Sequence, residues 1–170
     1  INSSAGLNIG ARRITISTNG IIPGIERLSS EGLQLELSVS LHAATDELRS
    51  SLMPVNKSYP LSELIQACKE YSLKTHRQVT FEYILIKGLN SSLRDAEGLF
   101  RLLKDFKLAK VNLIPSNHIP ELEFEPASKN SVDIFKDYLV KSRINVTLRK
   151  ERGEDINAAC GQLRLNYAKN

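Results

Sequence analysis

Several residue types are scarce in this 170-residue chain, and each scarcity disfavours a class of protein. Tryptophan is absent and aromatic residues make up 6% of the sequence, which argues against a dedicated surface for stacking bases. The two cysteines, Cys68 and Cys160, are too few for a disulfide scaffold or, by themselves, for a four-thiolate metal site. No apolar run approaches the length of a membrane span and no secretory signal opens the sequence, so we expect a soluble, intracellular protein without a membrane partner.

What is present is typical of a folded domain. Hydrophobic residues account for 41% of the chain and charged residues for 25%, so residues 1–170 are expected to form a single domain with its own core. Lysine and arginine exceed the acids by 23 to 19, and a net charge of +4 permits a nucleic-acid partner without requiring one. The only methionine is Met53, so the chain is expected to be a fragment of a longer protein.

Strand patterns alternate with helical patterns along the whole sequence. The predicted strands are Arg13–Thr18, Gln34–His42, Gln78–Leu85, Lys110–Ile114 and Ile144–Arg149. The predicted helices are Ile22–Glu31, Thr45–Leu52 with Thr45 as N-cap, Leu61–Tyr71, Ser92–Phe106, Ser131–Ser142 and a last short one over 155–163. This alternation predicts an α/β fold with a mostly parallel sheet.

The strands themselves alternate between apolar and polar residues, which is unusual for parallel strands covered on both faces. One predicted face carries only aliphatic and aromatic side chains, from Ile14 and Ile16 to Val146 and Leu148. The other carries Thr15, Ser17, Glu36, Ser38, Ser40, His42, Thr80, Glu82, Asn112, Asn145, Thr147 and Arg149. The pattern predicts helices on one face and, on the other, a wide or incomplete barrel with a polar interior; an open sheet with one solvated face is the alternative.

Polar residues also follow the predicted strands, where active groups of such folds are found. They are Ser17, Thr18 and Asn19; Ser40 and His42; Lys87, Gly88 and Asn90; Ser116, Asn117 and His118; and Lys150, Glu151 and Arg152. Hydroxyl and amide groups suit ribose, amino-acid or base ligands, whereas no Ser-His-Asp, phosphate-loop or zinc-ligand spacing is present. A lone histidine at a strand end, such as His42, is more often structural than catalytic.

The two cysteines lie in different contexts. Cys68 falls on the apolar stripe of a predicted helix, where cysteine is usually an inert small hydrophobe. Cys160 precedes Gly161 in a predicted turn and follows the basic cluster of Arg149, Lys150 and Arg152. Those cations either lower a thiol pKa, bind phosphates or are merely solvated, and the sequence pattern leaves all three open.

Five strings resemble one enzyme family. They are RRITISTNGIIP (12–23), SVSLHAATDELRSSLMPVN (38–56), FEYILIKGLN (81–90), VNLIPSN (111–117) and RGEDINAACGQL (152–163). In this order, from about Gly6 to Leu163, they resemble the radical S-adenosylmethionine RNA adenine methyltransferases. The combination of SLHA, the proline–asparagine turn and the DINAACGQL string is highly specific.

The resemblance implies a partial (β/α) barrel whose lumen holds S-adenosylmethionine beside a 4Fe-4S cluster. By position, it implies that Ser17, Ser40, Leu41, His42 and Asn117 contact S-adenosylmethionine. It also implies that Cys160 is methylated on sulfur and donates its methylene to C2 of an adenine in 23S rRNA and tRNA. A reducing partner such as flavodoxin and a cytoplasmic location follow for the full-length enzyme, with no DNA partner. Adenine C2 is not nucleophilic, so the cofactor's radical chemistry carries the hard step.

The sequence also departs from the family. The CxxxCxxC loop that holds the cluster is absent, as are the GGMGEP-like strand end, the acidic base and the second cysteine. These features precede the matching region in the family, so the chain resembles the C-terminal half, which is expected to be inactive alone. Three alternatives remain: a relative that methylates adenine C8, a non-catalytic RNA-binding half-barrel, and an unrelated α/β domain that binds sugars or phosphates.

Overall fold

A computed structural model describes residues 1–3, 5–116 and 124–149 of the chain. The strands are β1 (Thr15–Thr18), β2 (Glu36–Ser40), β3 (Val79–Leu85), β4 (Ala109–Pro115) and β5 (Asn145–Leu148). The helices are α1 (Ile22–Ser30), α2 (Asp46–Leu52), α3 (Leu61–Thr75), α4 (Leu93–Leu103) and α5 (Lys129–Lys141), with 3-10 turns at Ala11–Arg13 and Pro54–Lys57. The helix predicted over 155–163 lies outside the described residues.

The five strands form one parallel sheet in chain order, which confirms the predicted α/β fold. Right-handed crossovers between strands that follow one another in chain order place the connecting helices on one face of the sheet. Within the described ranges, no helix is both long and apolar enough to cross a bilayer.

Local side-chain hydrogen bonds define where several helices begin. The hydroxyl of Thr45 accepts the N–H of Leu48, as expected of the predicted N-cap. Ser92 and Asp95 form a capping box at α4. The hydroxyl of Ser128 caps α5, which therefore starts at Lys129 and not at the predicted Ser131.

The core lies between the helices and the apolar face of the sheet. Fully buried side chains from three strands include Leu37, Val39, Phe81, Tyr83 and Leu113. Burial of each large apolar side chain contributes about 1.5–3 kcal/mol, so this layer supplies most of the stabilisation. Against it pack Leu64, Cys68 and Tyr71 of α3, Leu99 and Leu103 of α4, and Phe135 and Leu139 of α5.

The first strand is less covered than the alternation predicts. Ile16 lies on the apolar face, level with Leu37, yet its side chain is 39% exposed. Among the described residues β1 pairs only with β2, so it forms an edge of the sheet. Ile16 is left partly uncovered because an edge strand has neighbours on one side only.

Candidate functional site

A chain of hydrogen bonds crosses the polar face of the sheet from β2 to β5. The Ser38 hydroxyl donates to Glu82 Oε1 over 3.1 Å, and Asn112 Nδ2 donates to Glu82 Oε2 over 2.8 Å. The Thr147 hydroxyl then donates to Asn112 Oδ1 over 3.0 Å. Glu82 makes no ion pair with a described residue, whereas Glu36, on the same face, pairs with Arg77. This face is thus an organised polar surface centred on one carboxylate.

Two of the predicted ligand-binding serines lie on this same face. Register pairs Ser17 with Ser38 and Ser40 with Glu82, so both serines adjoin the hydrogen-bonded chain. Neither hydroxyl bonds to any residue that the structure describes, and Ser17 is exposed. Both are therefore available to a ligand on the polar face.

Leu41 and His42 continue the chain beyond β2. The backbone N–H groups of both residues donate to the carbonyl of Glu82, over 3.0 and 3.3 Å. The Leu41 side chain is fully buried, so a ligand contact at this residue would involve its backbone. β2 therefore ends at Ser40, not at the predicted His42, because His42 turns into the left-handed region with φ 60°.

His42 is fixed by hydrogen bonds on two sides. Its Nδ1 accepts the N–H of Ile84 over 3.2 Å, and its carbonyl accepts Asn90 Nδ2 over 2.8 Å. Burial, and secondarily the cation of Arg49, lower the pKa of the His42 imidazole to about 4. The ring is therefore neutral at pH 7, and because Nδ1 is an acceptor the proton resides on Nε2. His42 combines the expected structural role with one N–H that can donate to a ligand.

Arg49, which the sequence patterns did not single out, links the segments at the carboxyl ends of the strands. Its side chain is fully buried on α2, and burial lowers the pKa of the guanidinium. It donates to four acceptors: the carbonyls of Asn19, Ser40 and Leu41, and Oδ1 of Asn56, at 2.8–3.2 Å. Arg49 thus joins the residues that follow β1 to those that follow β2.

Asn90 has the same role between β2 and β3. It is fully buried; its Oδ1 accepts the N–H of Ile86, and its Nδ2 donates to the carbonyls of Ile84 and His42. Asn90, which was predicted as a strand-end candidate, therefore stabilises the backbone through its side-chain amide.

The turn after β1 depends on Thr18 and Gly20. The hydroxyl of Thr18 accepts the N–H of Gly20 over 3.1 Å. Gly20 has φ 102°, and a Cβ there would lie 3.0 Å from Arg49 Nη2 and from Leu64 Cδ2. Glycine is required because both the backbone angle and the space exclude a side chain.

Comparison with known proteins identifies this arrangement. The chain is 52% identical over 169 residues to a probable dual-specificity RNA methyltransferase RlmN of Geobacillus thermodenitrificans, covering 99% of this chain and 46% of the relative. It is 46% identical over its whole length to the protein of the same name from Clostridium novyi, covering 49% of that relative. A crystal structure of a radical SAM methyltransferase from Sphaerobacter thermophilus superposes with a TM-score of 0.90 at 50% identity, over 95% of this chain and 47% of that one. The chain belongs to the radical S-adenosylmethionine methyltransferase family.

Two further comparisons set the limits of this assignment. A domain of pyruvate-formate lyase-activating enzyme from Bacteroides vulgatus matches with a TM-score of 0.63 at 11% identity, over 80% of each chain, which shows a shared fold alone. No protein-family model matches the sequence. The chain spans about half the length of the curated methyltransferases it matches.

Some residues of the family-like strings have structural roles in this chain. Arg49 and Asn56 lie in the second string, Gly20 in the first and Asn90 in the third. The signal that could have revealed Arg49 is the length of the second string, which extends well past SLH.

The remaining predicted ligand-binding and catalytic residues, Asn117 and Cys160, lie outside the described residues. Ser116, next to Asn117, has a buried hydroxyl without a hydrogen-bond partner among the residues described. Lys87, also named from its strand end, is exposed and pairs with the carboxylate of Glu125.

The described residues do not fit an iron–sulfur cluster. Burial raises the pKa of the Cys68 thiol to about 12, so this cysteine is the inert core residue that was predicted. Within the described ranges, no three His, Cys, Asp or Glu side chains are grouped as metal ligands.

Proposed function

We propose that the protein containing this chain transfers a methyl group from S-adenosylmethionine to C2 of an adenine in 23S rRNA and tRNA. The observation that carries the proposal is the polar face beside Ser40. There, the hydroxyls of Ser17 and Ser40 and the carboxylate of Glu82 share one face of neighbouring strands, and His42 follows directly after β2. Glu82 forms no ion pair with a described residue. These groups suit the hydroxyl, amino and cationic groups of S-adenosylmethionine.

Ser17, Ser40, Leu41, His42 and Asn117 are the proposed S-adenosylmethionine contacts. In this chain Ser17 and Ser40 would hydrogen-bond the ligand, and His42 would donate from Nε2. Arg49 and Asn90 would hold these groups in place without touching the ligand, since both are fully buried among backbone carbonyls. A 4Fe-4S cluster, held by residues outside this chain, and a reductant such as flavodoxin would supply the radical chemistry.

Cys160 is the proposed methyl carrier. Its thiolate would first take a methyl group from S-adenosylmethionine, which would leave as S-adenosylhomocysteine. The sulfur would then deliver this carbon to adenine C2, and the second cysteine, outside this chain, would break the S–C bond of the resulting adduct. Removal of this sulfur removes the only proposed carrier, so Cys160→Ala should abolish turnover, whereas Cys68→Ala should only lower stability, by about 1 kcal/mol. A protein of this kind would work in the cytoplasm, where its RNA substrates lie.

The test uses the longer protein that contains this chain, with its cluster reconstituted. Mass spectrometry of digested RNA should show 2-methyladenosine from the wild type and from Cys68→Ala, and none from Cys160→Ala. Peptide mass spectrometry should find a methyl group on Cys160 of the wild type. Formation of 8-methyladenosine would assign the C8-methylating relative instead, and RNA binding without any methylation would assign the non-catalytic half-barrel. Full activity of Cys160→Ala would show that its role is wrong.

A further inference from the structure

The edge of the sheet opposite the candidate site carries an excess of positive charge. Because all five strands are parallel, the segments that lead into them meet at one edge, here called the amino rim and defined as residues 10–14, 31–35, 75–78, 104–108 and 141–144. The rim contains two carboxylates, Glu31 and Asp105. It contains seven cations, which are Arg12, Arg13, Arg77, Lys104, Lys107, Lys141 and Arg143.

Most of these cations have no acidic partner in the part of the chain that the structure describes. There, only Arg77 forms an ion pair, with Glu36, and Arg12 is held by the amide of Gln34 over 3.0 Å. Of the two rim carboxylates, Glu31 already pairs with Arg27. Arg13, Lys104, Lys107, Lys141 and Arg143 are all exposed. The rim therefore presents more positive charge than the chain's net charge of +4 would suggest.

The rim is also concave at one point. A cavity of about 510 Å³ opens between the end of α3 and the segment before β4. Lys69, His76 and Lys107 line it, and Asp105 is the one acid among its described lining residues. The Lys74 ammonium nearby contacts a serine hydroxyl, not a carboxylate.

We infer that the amino rim binds the phosphate backbone of RNA, away from the adenine that reacts. The choice of RNA as the polyanion rests on the proposed function. The charge favours a phosphodiester chain over an acidic protein because it is distributed along four of the five strand entrances and is not gathered around an apolar anchor. The seven residues of β3 separate the rim by about 23 Å from the carboxyl edge of the sheet, which is the edge where the strands end and the candidate site lies. An RNA that reaches both edges must therefore be a large folded one.

Helix dipoles offer a competing reason for some of these cations. α1, α3, α4 and α5 all end at this edge, where cations stabilise exposed carbonyls. Lys141 is such a residue, but Arg13 ends a short 3-10 turn, and Lys107 and Arg143 lie in connecting segments. A test must therefore measure RNA affinity and thermal stability on the same variants.

The experiment uses the longer protein that contains this chain and a fluorescently labelled transcript of tRNA size. Fluorescence anisotropy would be recorded from 50 to 200 mM salt for the wild type and the rim variant Arg13→Gln/Lys107→Gln/Lys141→Gln. The control, Lys57→Gln/Arg94→Gln/Lys129→Gln, removes the same charge from exposed positions outside the rim. The rim variant should bind about tenfold or more weakly, and the slope of log K against log salt should fall by about 2, whereas the control should change affinity less than about threefold.

Other outcomes overturn the inference. They are no RNA binding by the wild-type protein, equal losses in the rim variant and the control, or a loss of affinity that disappears at temperatures where both variants are equally folded. Binding of polyglutamate that depends on the rim, with RNA affinity unchanged, would assign the rim to an acidic protein. Failure of the proposed function is a separate result, since it would appear as absent methyladenosine while the rim still bound RNA.

Discussion

At the carboxyl edge of the sheet, the guanidinium of Arg49 and the amide of Asn90 are fully buried and bonded to backbone groups of neighbouring strands. At the amino edge, cations such as Lys107 and Arg143 are exposed and have no ion-pair partner among the described residues. The same sheet therefore uses polar side chains in two ways. Buried groups fix the backbone because leaving any of them unpaired is costly, while exposed groups remain free to meet a partner.

This difference indicates which edge of the sheet must be rigid and which can bind a partner through charge alone. The carboxyl edge must hold Ser40 and His42 in one geometry, since small displacements of ligand-binding groups are costly. The amino edge needs only charge of one sign, which acts over several ångströms and tolerates mobile side chains. Substitutions should thus have large effects on stability at the first edge and small effects at the second.

The largest effect is expected at Arg49. Arg49→Met keeps most of the volume but leaves the carbonyls of Asn19, Ser40 and Leu41 without their donor. The free energy of unfolding, measured by urea denaturation at pH 7.5, should fall by about 3–5 kcal/mol. Arg94→Met, at an exposed position, should change it by less than about 0.5 kcal/mol. Equal effects at the two arginines would contradict the comparison.

Acid should weaken the carboxyl edge through His42. The pKa of this imidazole is about 4 in the folded protein and about 6.5 when unfolded. Between these values the unfolded chain binds a proton that the native chain does not, so stability is complete above pH 6.5 and is lost as the pH falls towards 4. The loss should be about 3 kcal/mol.

Urea denaturation at pH 7.5 and at pH 4.5 would measure this loss, and His42→Asn is the matched control. Asparagine tolerates the left-handed φ of 60° and offers an acceptor to the Ile84 N–H but cannot titrate. The control should lose less stability on acidification than the wild type. An identical pH dependence of the two proteins would exclude His42 as the source.

A glycine on each edge gives the next comparison. Gly20→Ala would force a side chain into φ 102° and against Arg49 and Leu64, and should cost about 2 kcal/mol. Gly10, which opens the amino rim, has a negative φ, and a Cβ added there would meet no described atom within 4 Å. Gly10→Ala should therefore be neutral or slightly stabilising in thermal denaturation. A destabilisation of similar size at both glycines would remove the distinction.

The sequence patterns predicted the strands and the polar face because both follow from local periodicity. The period of two fixes which side chains share a face, so Ser17, Ser38, Ser40 and Glu82 were correctly grouped. Periodicity placed Ile16 on the apolar face, but it cannot reveal how far an edge strand is covered. Arg49 was missed because its four acceptors come from three separate segments, and hydrophobic periodicity does not encode such a meeting.

The smallest effects are expected at the amino rim. Lys141 lies in the last turn of α5, where its interaction with the helix carbonyls is worth about 0.3–1 kcal/mol, and Lys107 lies in a connecting segment. Lys141→Gln should therefore lower the free energy of unfolding by about 0.5 kcal/mol, and Lys107→Gln should leave it within measurement error.

Arg77→Gln is the informative contrast, because Arg77 is half-buried and pairs with Glu36. This substitution should lower the free energy of unfolding by about 1 kcal/mol or more. Urea denaturation of the three variants would test this order. A loss above about 2 kcal/mol at Lys107 would mean that the rim supports the fold, because a surface charge kept for a partner contributes little to folding.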